Sequence, residues 1–376
     1  MVTVAEALRG LKLSAKDIAD KTQLPLARVQ SILAGESAAL SELRAISSGL
    51  RLPLHTLAKG QRSTDPGSRF EALFRDASRS TSTYDVSVEK VATFVEAALE
   101  ILPPRSTLPP WLSGMKPGPV TYVEADRLAK LCRYSLYPQR EDEPAIDLPQ
   151  VLGELEGVVL TRLLFSRYEG VSLIAGNYCF IFVSPRFEGR MLFTLGHELG
   201  HILAHHRKGH TALFERPSDI ATFGHGSRGE AFVDAFSSCF LLPDEGVGKA
   251  LYSFRQYYEI SSPAISDFEI LLLARFYGVS FDVAARRCED LEILPRGMGF
   301  ALGAQLKKQF GSPEKRASEL GVPPRVPIKI PPVSGELGEA ISRQITTGNI
   351  SLGWTTDRLG LSIGEVLAAN ARTEMS

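Results

Sequence analysis

One stretch constrains this chain more than any other: Met191-Leu-Phe-Thr-Leu-Gly-His-Glu-Leu-Gly-His-Ile-Leu-Ala-His-His206. Leu192, Leu195, Leu199, Ile202 and Leu203 recur at the spacing of one buried helical stripe. Inside it stands His197-Glu198-x-x-His201. Positions four apart share a helix face, so both imidazoles reach one point in space. Glu198 lies one residue round from His197, which suits a base rather than a third ligand. Two neutral imidazoles and one carboxylate leave Zn²⁺ an open fourth position and a residual positive charge. That charge lowers the pKa of water towards about 7, and a carboxylate taking the proton contributes roughly 10²–10⁴-fold. The bland alternative is an ordinary buried helix whose histidines happen to fall at this spacing.

A third ligand is available downstream. Glu230-Ala-Phe-Val-Asp234-Ala-Phe-Ser-Ser-Cys-Phe-Leu-Leu-Pro243 has a helical apolar repeat and is stopped by Pro243. Glu230 and Asp234 again share a face. The division that fits is Glu230 on the metal and Asp234 orienting a ligand histidine through its second ring nitrogen. The three-histidine pattern H-E-x-x-H-x-x-G-x-x-H fails, because Ala204 holds its glycine position and Arg207 its last histidine.

Phe193-Thr-Leu-Gly-His-Glu-Leu-Gly-His-Ile-Leu-Ala-His205, followed by Glu230-x-x-x-Asp234-x-Phe and Leu241-Leu-Pro243, resembles the ImmA/IrrE family of metallopeptidases over roughly residues 150–290. The resemblance implies a zincin-like fold, His197, His201 and Glu230 as ligands, and Glu198 as catalytic base, a gluzincin-like arrangement. It also implies substrates among XRE-type helix-turn-helix repressors. Two departures stand out: Asp234 replaces the Asn of many members, and Phe236-Ser-Ser-Cys replaces Phe-Ala-Ala.

At 376 residues the chain is long enough for two or three domains. A formal net charge of −1 gives no global nucleic-acid footprint, so any DNA contact has to be local. Four scattered cysteines with no C-x-x-C pair read as buried small hydrophobes in a reducing compartment. No apolar run reaches about 18 residues and no signal peptide is evident, which predicts a cytoplasmic protein without a membrane span.

Residues 1–60 read as a helical unit. Ser14 caps a short helix with Ile18 and Ala19 inward, and Leu26-Ala-Arg-Val-Gln-Ser-Ile-Leu-Ala-Gly35 supplies a second helix closed by glycine. The pattern from Ser14 to Leu57 resembles the XRE-type repressor domain. Gln23, Arg28, Gln30 and Ser31 are then the candidate contacts to bases or phosphate, with a homodimer reading two half-sites. Protein docking is the competing role for such a bundle.

Residues 61–120 read as a linker and bridging helices, with helical texture over 70–102 and core packing as its role. The peptidase-like region spans 121–294. It includes β-rich runs at Val158–Phe165, Val171–Ala175 and Cys179–Val183, and two helices joined at Gly278. The segment His205–Arg228 reads as a loop of functional length. It supplies His205, one turn beyond His201, as the candidate oxyanion stabiliser, with His206, His210 and His225 behind it and Tyr257 or Tyr258 as alternatives from outside the segment. Residues 295–376 read as a connector and helical appendage.

The expected architecture is therefore α+β and mostly α: a helix-turn-helix bundle, a zincin-like domain with a small sheet, and a C-terminal helical appendage. The expected function is a zinc-dependent endopeptidase (Mn²⁺ is also accommodated by two His and one Glu) fused to a DNA-binding domain. It would cleave a repressor-type protein or itself, in stress response or in phage and mobile-element regulation. The alternatives are an XRE-family regulator whose metal domain is a sensor, and an interaction protein of a stress or toxin–antitoxin system.

Overall fold

The structure, a computed structural model, describes residues 4, 8, 13–36, 38–50, 86–164, 166–206, 212–217, 219–221 and 227–373. It divides into two units, Met1–Ala72 and Leu73–Ser376. His210, His225, Leu54, Leu57, the polar linker and residues 70–85 lie outside the described residues.

In the first unit, helix α1 (Ala15–Thr22) starts at Ser14, whose hydroxyl accepts from the Asp17 N–H while Asp17 accepts from the Ser14 N–H. This reciprocal cap satisfies two N–H groups that a helix start leaves free. Gln23 ends the helix in the left-handed region at φ 58°. Pro25 then opens α2 (Leu26–Leu33), and α3 (Leu40–Leu50) follows. Ile18, Ala19, Val29, Ile32 and Ile46 are buried together, as the apolar spacing requires.

The second unit is built on a four-stranded sheet, β1 (Val158–Arg162), β2 (Gly170–Ala175), β3 (Tyr178–Val183) and β4 (Leu213–Glu215), in the order β1-β3-β2-β4. β1 and β3 are parallel, and the other two pairings are antiparallel. β3 is buried on both faces, so it reads as a continuous apolar run rather than an alternating one. Cys179, Ile181 and Val183 enter the main core, whereas Phe182 meets Phe94 edge-on at 5.3 Å between ring centres. Phe94 belongs to α4 (Val86–Ile101), whose Val88, Val91, Val95 and Ala98 are also buried.

Helix α5 (Glu188–Ala204) crosses the core side of the sheet and α6 (Arg228–Leu241) packs on it. Gly196 lets the two approach, since a Cβ there would stand 2.6 Å from Ser237 Oγ. Ser237 in turn donates to the Phe193 carbonyl at 2.8 Å. The serine that departs from the resembled family's pattern therefore ties the two metal-site helices together.

The helices expected around Gly278 are Asp267–Phe276 and Phe281–Asp290, with Gly278 at φ 70° between them. Toward the C-terminus, Glu336 accepts from the Gly157 N–H at 2.9 Å and from the Tyr178 hydroxyl at 3.1 Å, and Thr161 Oγ1 donates to the Pro332 carbonyl at 2.7 Å. All four cysteines are buried, and none is in a disulfide. No described helix is long and apolar enough to cross a membrane.

Candidate metal centre

Helix α5 carries both histidines on the face turned to α6, and all of its residues from Met191 to Ala204 are buried. The Nε2 atoms of His197 and His201 stand 3.0 Å apart. Ser227 caps α6 by accepting from the Glu230 N–H, which sets Glu230 in the first turn. Glu230 Oε2 lies 3.4 Å from His197 Nε2 and 3.5 Å from His201 Nε2. One turn further, Asp234 Oδ1 accepts from His197 Nδ1 at 2.9 Å and from the Ala221 N–H at 3.0 Å. A proton on Nδ1 donated to Asp234 leaves the His197 Nε2 lone pair facing Glu230 and His201.

His205 meets the corresponding atom of the other imidazole: its Nδ1 is 2.7 Å from His201 Nδ1. It therefore bears on His201 as Asp234 bears on His197. His206 turns the other way, with Nε2 3.1 Å from Ser172 Oγ. Tyr257 is largely exposed and packs on Tyr258, which packs on Phe268.

Two features escaped the sequence. The segment read as a loop contains β4, and β4 brings Glu215 to the centre, with Oε1 3.7 Å from His201 Nε2. No periodicity marks a three-residue strand, so only the pairing with β2 reveals it. The second feature is Gly170. A Cβ on it would stand 2.1 Å from Glu198 Oε1, so the Glu198 carboxylate occupies the space that a side chain at the head of β2 would fill.

The electrostatics follow from burial. Glu198 is fully buried with neither carboxylate oxygen hydrogen-bonded, and burial pushes its pKa up to about 8. Burial also raises Glu215 to about 7 and lowers His201 to about 4. At His197 burial opposes protonation, but Asp234 and Glu230 outweigh it and raise the pKa to about 10. Glu230 resists the effect of burial because both imidazoles hold it well below the usual carboxylate range.

The donor set fits a divalent cation. His197, His201, Glu215 and Glu230 offer ligand atoms all within 4.8 Å of one another. Glu230 Oε2 and both oxygens of Glu198 are buried without a hydrogen-bond partner. Four carboxylates (Glu198, Glu215, Glu230 and Asp234) around two imidazoles form an acidic pocket that costs several kcal/mol per ion unless a cation compensates it. A cavity of about 950 Å³ runs from Glu169, Ile220 and Ala221 to Arg286 and Phe300, and none of the candidate ligands lines it.

In the first unit, Gln30 is exposed and Ser31 half-buried. Gln23 is exposed, with its amide donating to the Asp20 carbonyl at 2.7 Å. Arg28 is placed differently from the expectation of a DNA contact. Its guanidinium donates to Glu42 through Nε at 2.6 Å and Nη2 at 3.0 Å, and to Glu36 through Nη1 at 2.8 Å. The two carboxylates lie eight and fourteen positions beyond Arg28, too far along the chain for helix spacing to pair them with it.

No curated protein matches the chain. The segment of residues 157–289, which carries every member of the metal centre, matches the family model of the IrrE N-terminal-like domain, of the M78 peptidases.

Proposed function

We propose that this protein is a metal-dependent endopeptidase that cleaves a protein substrate, with an XRE-type repressor or the chain itself as the substrate class. The observation that carries this reading is the convergence of His197 Nε2, His201 Nε2 and Glu230 Oε2 within 3.5 Å of one another, next to the unpartnered carboxylate of Glu198. His197, His201 and Glu230 would hold a Zn²⁺ or Mn²⁺ ion, which would supply Lewis-acid polarisation of water and of a peptide carbonyl. Glu198 takes a proton from the attacking water at one carboxylate oxygen and delivers it to the leaving amine. Asp234 and His205 fix the ring orientations of His197 and His201.

The N-terminal helices serve in this reading as the DNA-binding part of a transcriptional control device of a stress or mobile-element kind. Gln30 and Ser31 on α2 are better placed for base contact than Arg28, which is tied to Glu36 and Glu42. The test is cleavage of XRE-type repressors, including the chain itself, by wild type and Glu198→Gln. Specific cleavage by wild type and none by the variant is expected, and a cut that persists in the variant refutes the assigned base. A regulator whose metal domain only senses is the second reading. It is favoured by one observation, the presence of a fourth potential ligand, Glu215.

A further inference from the structure

The position of Glu215 follows from the register of β2 and β4. Gly170 pairs with Glu215, Val171 with Phe214 and Ser172 with Leu213. Cross-strand partners share a face of the sheet. The face of Gly170 is the one occupied by Glu198, since that is where its missing Cβ would point. Glu215 therefore projects beside Glu198, toward the histidines, and is itself 6% exposed. In a tetrahedral zinc site with bonds of about 2.0–2.1 Å, neighbouring ligand atoms stand about 3.3 Å apart. The His197–His201, His197–Glu230 and His201–Glu230 separations of 3.0, 3.4 and 3.5 Å fit that figure. Glu215 Oε1, at 3.7 Å from His201 Nε2, is the one further group near enough to complete the set among the described residues.

We propose that Glu215 is a fourth, removable ligand that closes the metal's remaining coordination position in the resting protein. This rests on the metallopeptidase reading above and adds its regulation. A catalytic zinc site keeps one position open, and four protein ligands close it. β4 is a suitable strap because it is a three-residue strand at the edge of the sheet. Among the described residues it pairs with β2, with the Glu169 N–H to Glu215 carbonyl bond at 2.8 Å and the Phe214–Tyr168 ring contact at 5.1 Å beside that pairing. A peptide reaching the centre has to displace Glu215, so the strand links occupancy of the substrate path to opening of the metal.

The test uses the full chain loaded with cobalt(II), with azide as an added ligand and visible absorption as the readout. Wild type should give a spectrum that azide leaves unchanged. Glu215→Ala should give an azide-sensitive spectrum, together with at least a tenfold loss of metal affinity in competition with a chromogenic chelator, on the scale of losing a partner of the metal (about 10–100-fold). Glu215→Gln, which preserves volume and fold, should behave like the Ala variant. Azide sensitivity in wild type, or unchanged affinity in both variants, overturns the proposal while leaving the three-ligand reading intact. Failure of wild type to bind cobalt overturns both.

Discussion

The two units of this protein each gather acidic and basic side chains, and they treat them in opposite ways. Around Arg28 the charges are matched: Glu36 and Glu42 share its guanidinium, and Glu42 also accepts from the Ala39 N–H at 2.7 Å. Around His197 the groups are buried and outnumbered by carboxylates, and atoms of Glu198 and Glu230 are left without hydrogen bonds. A matched cluster is explained by the fold it stabilises. An unmatched buried one is explained only by something it receives, because desolvated polar atoms cost about 1–3 kcal/mol each when left alone. Chemistry is thus located by what the fold leaves unsatisfied.

Substitutions at the metal centre should break that contrast most strongly. Gly170→Ala adds a methyl group 2.1 Å from Glu198 Oε1 in a region where the carboxylate is walled in. Displacing the base by about 1 Å should lower proteolytic turnover about 100-fold, with metal stoichiometry unchanged by elemental analysis. A variant with normal turnover would show that Glu198 acts from another position. Asp234→Ala removes the acceptor at His197 Nδ1 and should weaken metal binding about 10–100-fold. Chelator competition measures this, and an unchanged affinity would remove Asp234 from the centre's support.

In the first unit, the effects should be smaller and of another kind. Gln30→Ala should weaken binding to a palindromic operator by about 1–3 kcal/mol if the amide reads a base edge; Arg28→Ala should act mainly by loosening the bundle. Binding isotherms beside amide exchange of residues 15–50 separate the two, and unchanged operator affinity for Gln30→Ala would favour protein docking. The smallest effect is one of acid stability. Arg28, with help from the Ala39 N–H, holds the Glu42 carboxyl down at about 2 against an ordinary 4.5. A depressed folded-state pKa gives stabilisation that is present above the unfolded value and is lost as pH falls through the folded one. Helical signals of the first unit should therefore weaken between about pH 4.5 and 2 in wild type, and Glu42→Gln should flatten that dependence.

Much of the centre was legible along the chain, because a helix turns spacing into geometry. His197 and His201 had to share a face, and so did Glu230 and Asp234, whatever surrounded them. The helices on either side of Gly278 and strand β3 were equally visible as periodic or continuous apolar runs. The order β1-β3-β2-β4 was not, since strand pairing joins residues far apart in sequence.

Sequence alone determined which residues could meet on each helix, and through them the class of chemistry. Tertiary structure decided which groups from different elements converge: Glu215 reaches His201 only because β4 pairs with β2, and Gly170 matters only because α5 lies across it. Local spacing is fixed by backbone periodicity, whereas proximity between elements is set by the packing of the whole core.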